Sequence, residues 1–187
     1  MQNTIKLIEN YIPYNEQETR DKEVFLNTCK IFPNLLTREN DLIHVCSNAF
    51  ILNKQHTKVL CAHHNIYNSW GWVGGHADGL DDLMQVAEIE AHEETSIHSI
   101  IPLSNSPISI DILTTEGHIK KGKYVSGHLH FVTAFLFEAD ENQPIQKKED
   151  ENSAVAWIKL EELPNIAREP QMKVVYKKII ERIKLEF

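Results

Sequence analysis

The chain has no uninterrupted apolar run long enough to span a bilayer. Its first residues, MQNTIKLIENYIPYNEQETRDKE, are polar and lack the apolar centre of a secretory signal. Cysteine is scarce: Cys29, Cys46 and Cys61 form an odd set with no CxxC spacing. That argues against a disulfide framework and for reduced thiols, so a soluble cytoplasmic protein without a membrane partner is expected. Positive charge is scarce too. Nineteen basic residues face 27 acidic ones for a net charge of −8, which argues against a nucleic-acid polymer as partner. A small phosphate ligand stays open, because bound cations can bring such anions to an acidic pocket. No internal repeat, low-complexity tract or Pro/Gly/Ser linker divides the 187 residues, so one domain is expected over 1–187.

What is present is a succession of periodic segments. Ile5, Leu7, Ile8 and Tyr11, then Val24, Phe25 and Cys29, recur at near-helical spacing, and Pro33 should end the second helix. LIHVCSNAFILN (42–53) and KVLCAHH (58–64) read as two strands or a hairpin across a polar break. PISIDILTT (107–115), GHLHFVTAFLFEA (127–139) and SAVAWIKL (153–160) are also strand-like. Pro170 precedes a last amphipathic helix carrying Val174, Val175, Ile179, Ile180 and Ile183. Strands interleaved with helices suggest an α+β or α/β layered fold.

The most specific stretch is GGHADGLDDLMQVAEIEAHEETSI (74–97). Leu83, Val86, Ala87 and Ala91 give its second half an apolar stripe from about Asp81 to Thr95, with Asp78 or Asp81 available as a cap. Glu90, Glu93 and Glu94 stand at i, i+3 and i+4, so three carboxylates crowd one helix face and repel one another. Hard divalent cations take oxygen ligands and relieve that repulsion. The glycines before the helix allow a sharp turn and a close backbone carbonyl. A Mg²⁺–diphosphate site and a merely solvated acidic face are both compatible with this spacing.

The order of a glycine pair, an acid and then E-x-x-E-E resembles the Nudix box, G-x5-E-x7-R-E-U-x-E-E-x-G-U, where U is a bulky aliphatic. Gly75 takes the first glycine, Asp81 the first acid, Glu90, Glu93 and Glu94 the later glutamates, and Ile97 the closing aliphatic. SWGWVGG resembles the family's W-x-x-P-G-G approach, with Trp70 in the tryptophan place. Several positions depart from the pattern: Asp81 replaces Glu, Ile89 the arginine, Ser96 the glycine and Val73 the proline. The resemblance implies an α/β fold, specifically an α/β/α sandwich with a mixed sheet between helices. Residues 42–187 would be the Nudix core, and 1–41 a helical N-terminal extension.

It also implies hydrolysis of a nucleoside diphosphate linked to another group. Glu90, Glu93, Glu94 and the Gly75 carbonyl would hold Mg²⁺ or Mn²⁺, and the substrate would be a small nucleotide or related diphosphate. Glu90 or Glu94 would take the proton from water. Outside the box, Glu149, Asp150 and Glu151 are alternatives, with Glu151 preferred, although KKEDEN reads equally as a charged surface loop. Homodimers are common in the family.

His76 follows the glycine pair, where it could donate to an anion or sit as an exposed turn residue. Trp70 and Trp72 could stack on a base, or lie partly in the core. His128 and His130, two apart, share one face of a strand. With no third ligand at a recognisable spacing, they read as substrate-facing or exposed strand residues rather than a zinc pair. The change to Ile89 keeps open a catalytically impaired nucleotide binder or sensor. Isomerase chemistry on an isoprenoid diphosphate, found on a branch of the fold, ranks last, because no cysteine lies in the box.

Overall fold

The apolar run at 43–53 becomes the central strand of a mixed sheet. In the computed structural model, which describes residues 1–120 and 122–187, β1 (Ile43–Asn53) runs parallel to β9 (His128–Ala139) along its whole length, from Ile43↔Leu129 to Asn53↔Ala139. On its other edge β1 pairs antiparallel with β2 (Lys58–His64) and β4 (Val73–His76). The β1–β2 turn is closed by Asn53, whose Oδ1 accepts from the N–H groups of Thr57 (2.9 Å) and Lys58 (3.0 Å). β3 (Ser69–Gly71) and β10 (Asn152–Lys159) add to β2, while β5 (Ile101–Pro102) and β6 (Ser109–Thr115) add to β9. β7 (His118–Lys120) and β8 (Lys123–Val125) form a separate ribbon.

Side chains alternate across β1 and β9, and the two faces fill two cores. Val45, Ala49, Ile51, Phe131, Phe135 and Phe137 pack with α1 (Gln2–Asn10), α2 (Glu16–Ile31) and α3 (Leu83–Thr95). Phe50, Leu52, Ala134 and Leu136 pack with α4 (Leu163–Ile166) and α5 (Pro170–Glu186) on the opposite face. The result is an α/β/α sandwich around a mixed sheet, with the N-terminal helices present. At the start of the two strands, the positions on the α5-side face are not apolar but His44, His128 and His130.

Helix ends follow local chemistry. α2 stops at Ile31 because Pro33 forces the preceding Phe32 into extended backbone. The cap of α3 is Asp82, which accepts from the Gln85 N–H at 3.1 Å, and neither Asp78 nor Asp81 fills that position. Asp81 instead turns to α1, accepting from the Asn3 N–H (3.0 Å), the Thr4 N–H (2.9 Å) and the Thr4 hydroxyl (2.7 Å). Ser96 ends α3 in the left-handed region at φ 55°.

The N-terminal helices are joined to the rest by a buried polar cluster. Lys178 of α5 pairs with Glu18 of α2 at 2.9 Å and with Asp111 of β6 at 2.7 Å. Tyr11 donates to Glu18 at 2.6 Å and accepts from Arg182 at 2.8 Å. All three cysteines are free and buried, and burial pushes the Cys29 thiol up to about 11. Among the described residues, no helix is long and apolar enough to cross a membrane.

Candidate functional site

The glycine pair closes onto both the sheet and the helix. Gly74 and Gly75 pair with Asn48 and Ser47 of β1. A Cβ at Gly74 would meet the Asn48 Cα and the Ser47 carbonyl oxygen, each at 2.6 Å. At Gly75 it would run into the Glu90 carboxyl. Both glycines are therefore demanded by close approach, one to a backbone and the other to a carboxylate.

Glu94 is the most enclosed of the three helix carboxylates, at 5% exposure. Its Oε2 accepts from the Gly74 N–H at 2.9 Å, and its Oε1 from the Asn152 side chain at 3.2 Å. Burial pushes its pKa up to about 7 against the pull of those two donors, with the charges of Glu90 and Glu151 adding to the rise. Glu90 is pushed up to about 7 as well, by burial first and then by the charges of Glu93 and Glu151. Glu93 is half exposed and pairs with Lys148 at 3.3 Å; the same ammonium reaches Glu151 at 3.4 Å. The structure thus brings Glu90, Glu93, Glu94 and Glu151 into electrostatic contact beside the glycine pair of β4. Glu149 and Asp150 lie in the adjoining loop and enter none of these contacts.

This donor set fits a hard divalent cation. The oxygens are carboxylate oxygens, and two of the acids are held partly protonated at neutral pH by burial and like charge, a strain that a cation relieves.

The segment between α2 and β1 adds a cation, reaching the loop before α3, that sequence spacing could not locate. Arg38 grips Asp78 through two bonds, Nε at 2.7 Å and Nη2 at 2.8 Å. Arg38 also lies within electrostatic reach of Glu90. Asn152, at the start of β10, and Lys148 come from the acidic loop, whose only earlier signal was its charge.

The histidines depart from expectation. His128 is buried and His130 largely so, and they do not stand as exposed strand residues. Their Nε2 atoms face each other at 2.9 Å. The parallel register sets His44 beside His130, and β4 brings His76 to the same place. His76 is held neutral, its pKa lowered to about 2 by burial and then by Arg38, His130 and His44. His130 is lowered to about 3 by burial and by His128 and His44. His76 is accordingly a half-buried member of a four-histidine cluster rather than an exposed turn residue. Trp70 lies in β3, edge-on to His63 at 5.2 Å, and Trp72 edge-on to Tyr176 at 5.4 Å.

Residues 42–182 match the NUDIX domain family. That span is well over half the chain and contains the glycine strand, the glutamate helix and the Asn152 strand. The chain belongs to the Nudix hydrolase superfamily. Solved structures share the Nudix fold. An Ap4A hydrolase of C. elegans, in a binary complex, is 20% identical with a TM-score of 0.53, over 76% of this chain and 98% of that one. RenU, a Nudix hydrolase from M. smegmatis, is 14% identical with a TM-score of 0.56, over 77% and 88%. The E. coli dihydroneopterin triphosphate pyrophosphohydrolase is 15% identical with a TM-score of 0.55, over 73% and 94%. At these identities the likeness is one of fold. A comparison with curated proteins returned no match.

Within the Nudix box, Ile89 stands in the arginine place and is 41% exposed. The positive charge beside the Nudix glutamates comes instead from Lys148, on the loop before β10, and from Arg38, in the segment before β1. Asp81, in the place of the first box acid, is occupied with α1.

Proposed function

We propose that the protein is a divalent-metal-dependent pyrophosphohydrolase that cleaves a diphosphate bond in a nucleoside diphosphate linked to another group. The observation that carries this reading is the closure of the glycine strand on the glutamate helix. The Gly74 N–H is bonded to Glu94, and Gly75 lies against Glu90, which sets the strand backbone and the carboxylates side by side. Glu90, Glu93, Glu94 and the Gly75 carbonyl would hold Mg²⁺ or Mn²⁺. When bound, such an ion neutralises the diphosphate, stabilises charge on the leaving oxygen and acidifies an attacking water.

The chain's own groups divide the remaining work. Glu94, clamped by Gly74 and Asn152, is a fixed oxygen donor. Glu90, with a pKa near neutrality, is suited to take a proton from water, because a base works best when its pKa lies near the operating pH. Glu151, reaching both Glu90 and Glu94 electrostatically, is the second candidate for that proton. Lys148 restrains Glu93 and Glu151 and offsets part of their charge. Arg38 orders Asp78 of the box loop and lends positive charge near Glu90. Trp70 and, where the histidine cluster holds no metal, His76 are the candidate substrate contacts.

The chain would act as one domain over 1–187, with 1–41 as a helical extension laid on the Nudix core, a reading supported by the Lys178 cluster. A cytoplasmic location, motivated by the three free cysteines, a small-molecule partner, motivated by the family, and the absence of a nucleic-acid polymer, motivated by the acidic composition, belong to the same proposal. Ile89 motivates a second reading, a nucleotide binder without turnover.

A hydrolysis panel with Mg²⁺ or Mn²⁺ separates the two. It would span nucleoside triphosphates, nucleoside diphosphate sugars, ADP-ribose and dinucleoside polyphosphates. Metal-dependent cleavage of one class supports the hydrolase. Binding by thermal shift, with no cleavage across the panel, supports the binder.

A further inference from the structure

We propose that His44, His76, His128 and His130 bind one divalent transition-metal ion of the zinc class through their imidazole nitrogens. This site is separate from the carboxylate site and does not depend on the hydrolase reading. The four rings come from three strands: His44 is the second residue of β1, His76 ends β4, and His128 and His130 open β9. One ligand nitrogen from each lies within 4.8 Å of all the others. Ring centroids are 4.6 Å apart for His44 and His128, 5.1 Å for His44 and His76, and 4.9 Å for His76 and His130.

A second observation points to a ligand. His44 is 8% exposed, and neither of its ring nitrogens has a hydrogen-bond partner of normal geometry, the nearby Asn40 backbone offering only a contact outside it. A buried polar nitrogen without a partner keeps its desolvation penalty, which a bound ligand would offset. Here the ring is packed against three other histidines.

The surrounding bonds prepare the lone pairs. His128 Nδ1 lies 2.8 Å from the Ser126 carbonyl oxygen, which can only accept. In the neutral ring that binds metals, Nδ1 is then the donor and Nε2 carries the lone pair, aimed at His130. His130 Nδ1 meets the Thr115 hydroxyl at 3.3 Å, which leaves its Nε2 facing the centre. Two imidazole nitrogens at 2.9 Å can share one proton, or both can turn their lone pairs to a cation.

The ligand chemistry selects the metal. Imidazole suits zinc, copper, nickel and iron, whereas magnesium and calcium want oxygen. Four imidazoles around zinc at about 2.0–2.1 Å place neighbouring nitrogens about 3.3 Å apart. Binding therefore draws the outer rings inward by side-chain rotation and eases the close His128–His130 pair apart. Four protein ligands leave no open position, the mark of a structural ion. Such an ion would tie β1, β4 and β9 together immediately after Gly75 and so brace the glycine strand.

The test uses metal-stripped full-length protein titrated with zinc and, as a spectroscopic substitute, with cobalt(II). Zinc per chain after dialysis and the visible cobalt bands of tetrahedral nitrogen coordination are the readouts. The wild type should retain about one zinc per chain and show those bands. His44→Phe and, separately, His128→Gln should lose both, while Glu90→Gln/Glu94→Gln should keep both. Two variants guard against one failing to fold, and each is checked by its melting curve without metal. No zinc retained by the wild type would overturn the proposal. So would zinc kept by both histidine variants, or zinc lost in the glutamate variant alone.

Discussion

The Gly74 N–H donates to the Glu94 carboxylate at 2.9 Å, across the turn that separates β4 from α3. That bond fixes the helix against the glycine strand, and Asn152 holds the other oxygen of the same carboxylate. Glu94→Gln keeps the size of the side chain but replaces one anionic oxygen with a donor group. Hydrolysis should fall by at least about a hundredfold, in the range expected for loss of a group acting on the reacting water or its ion. A change of less than threefold, with an unaltered melting curve, would remove Glu94 from the site.

Both Glu90 and Glu94 are pushed up to about 7 from an ordinary carboxylate value of 4.5. A raised acid favours its protonated form in the folded state. The stability it adds is full below about 4.5 and lost as pH climbs through about 7. In metal-free protein, the melting temperature of the wild type relative to Glu94→Gln should therefore decline from pH 5 to pH 8. Mg²⁺ binding must displace those protons, so its apparent affinity should fall up to about tenfold per displaced proton for each pH unit below 7. A wild-type advantage that grows with pH in the absence of metal would contradict the assignment.

Lys148 pairs with Glu93 and Glu151 at the edge of the site, where Ile89 offers no charge. Both contacts are partly exposed, so their Coulomb value is about 1 kcal/mol. Lys148→Met should lower kcat/KM about five- to tenfold, and Lys148→Arg should restore most of it. Equal losses in the two variants would show that charge is not what the position supplies.

Lys178 is buried between Glu18 and Asp111. The Glu18 Oε1 contact is an ion pair outside hydrogen-bond alignment, so the lysine charge is its chief compensation. Lys178→Met leaves two buried carboxylates facing one another and should cost about 3–5 kcal/mol in chemical denaturation. A loss under about 1 kcal/mol would mean that α2 is not held to α5 and β6 by this cluster.

Ser96 sits at φ 55° on the exposed end of α3. A side chain there costs about 1–2 kcal/mol, part of which glycine gives back through its greater freedom when unfolded. Ser96→Gly should stabilise the protein by about 0.5–1 kcal/mol, read as a higher denaturation midpoint with an unchanged slope. A lower midpoint would mean that the Ser96 side chain makes a contact worth more than the strain.

Much of the sheet was legible because 43–53 and 128–139 are apolar runs that only a two-sided strand can bury. The glutamate helix was legible because its carboxylates and its apolar stripe share one period. The four-histidine cluster was not. Residues 44, 76, 128 and 130 meet only through the parallel β1–β9 register and the β4 pairing, and neither leaves a trace in local spacing. Arg38 and Lys148 were hidden for a similar reason, being ordinary basic residues in loops until the fold sets carboxylates beside them. The cap of α3 fell on Asp82 because Asp78 and Asp81 are drawn away by Arg38 and by α1, two partners more than 39 residues distant in sequence.

The most direct test of the account is the rate of diphosphate cleavage by purified protein, with and without Mg²⁺, for the wild type beside Glu90→Gln and Glu151→Gln. The account predicts cleavage that stops on chelation, returns with Mg²⁺, and falls by about two orders of magnitude or more in Glu90→Gln, with a smaller loss in Glu151→Gln. Cleavage unaffected by chelation, or retained in full by Glu90→Gln, would contradict it.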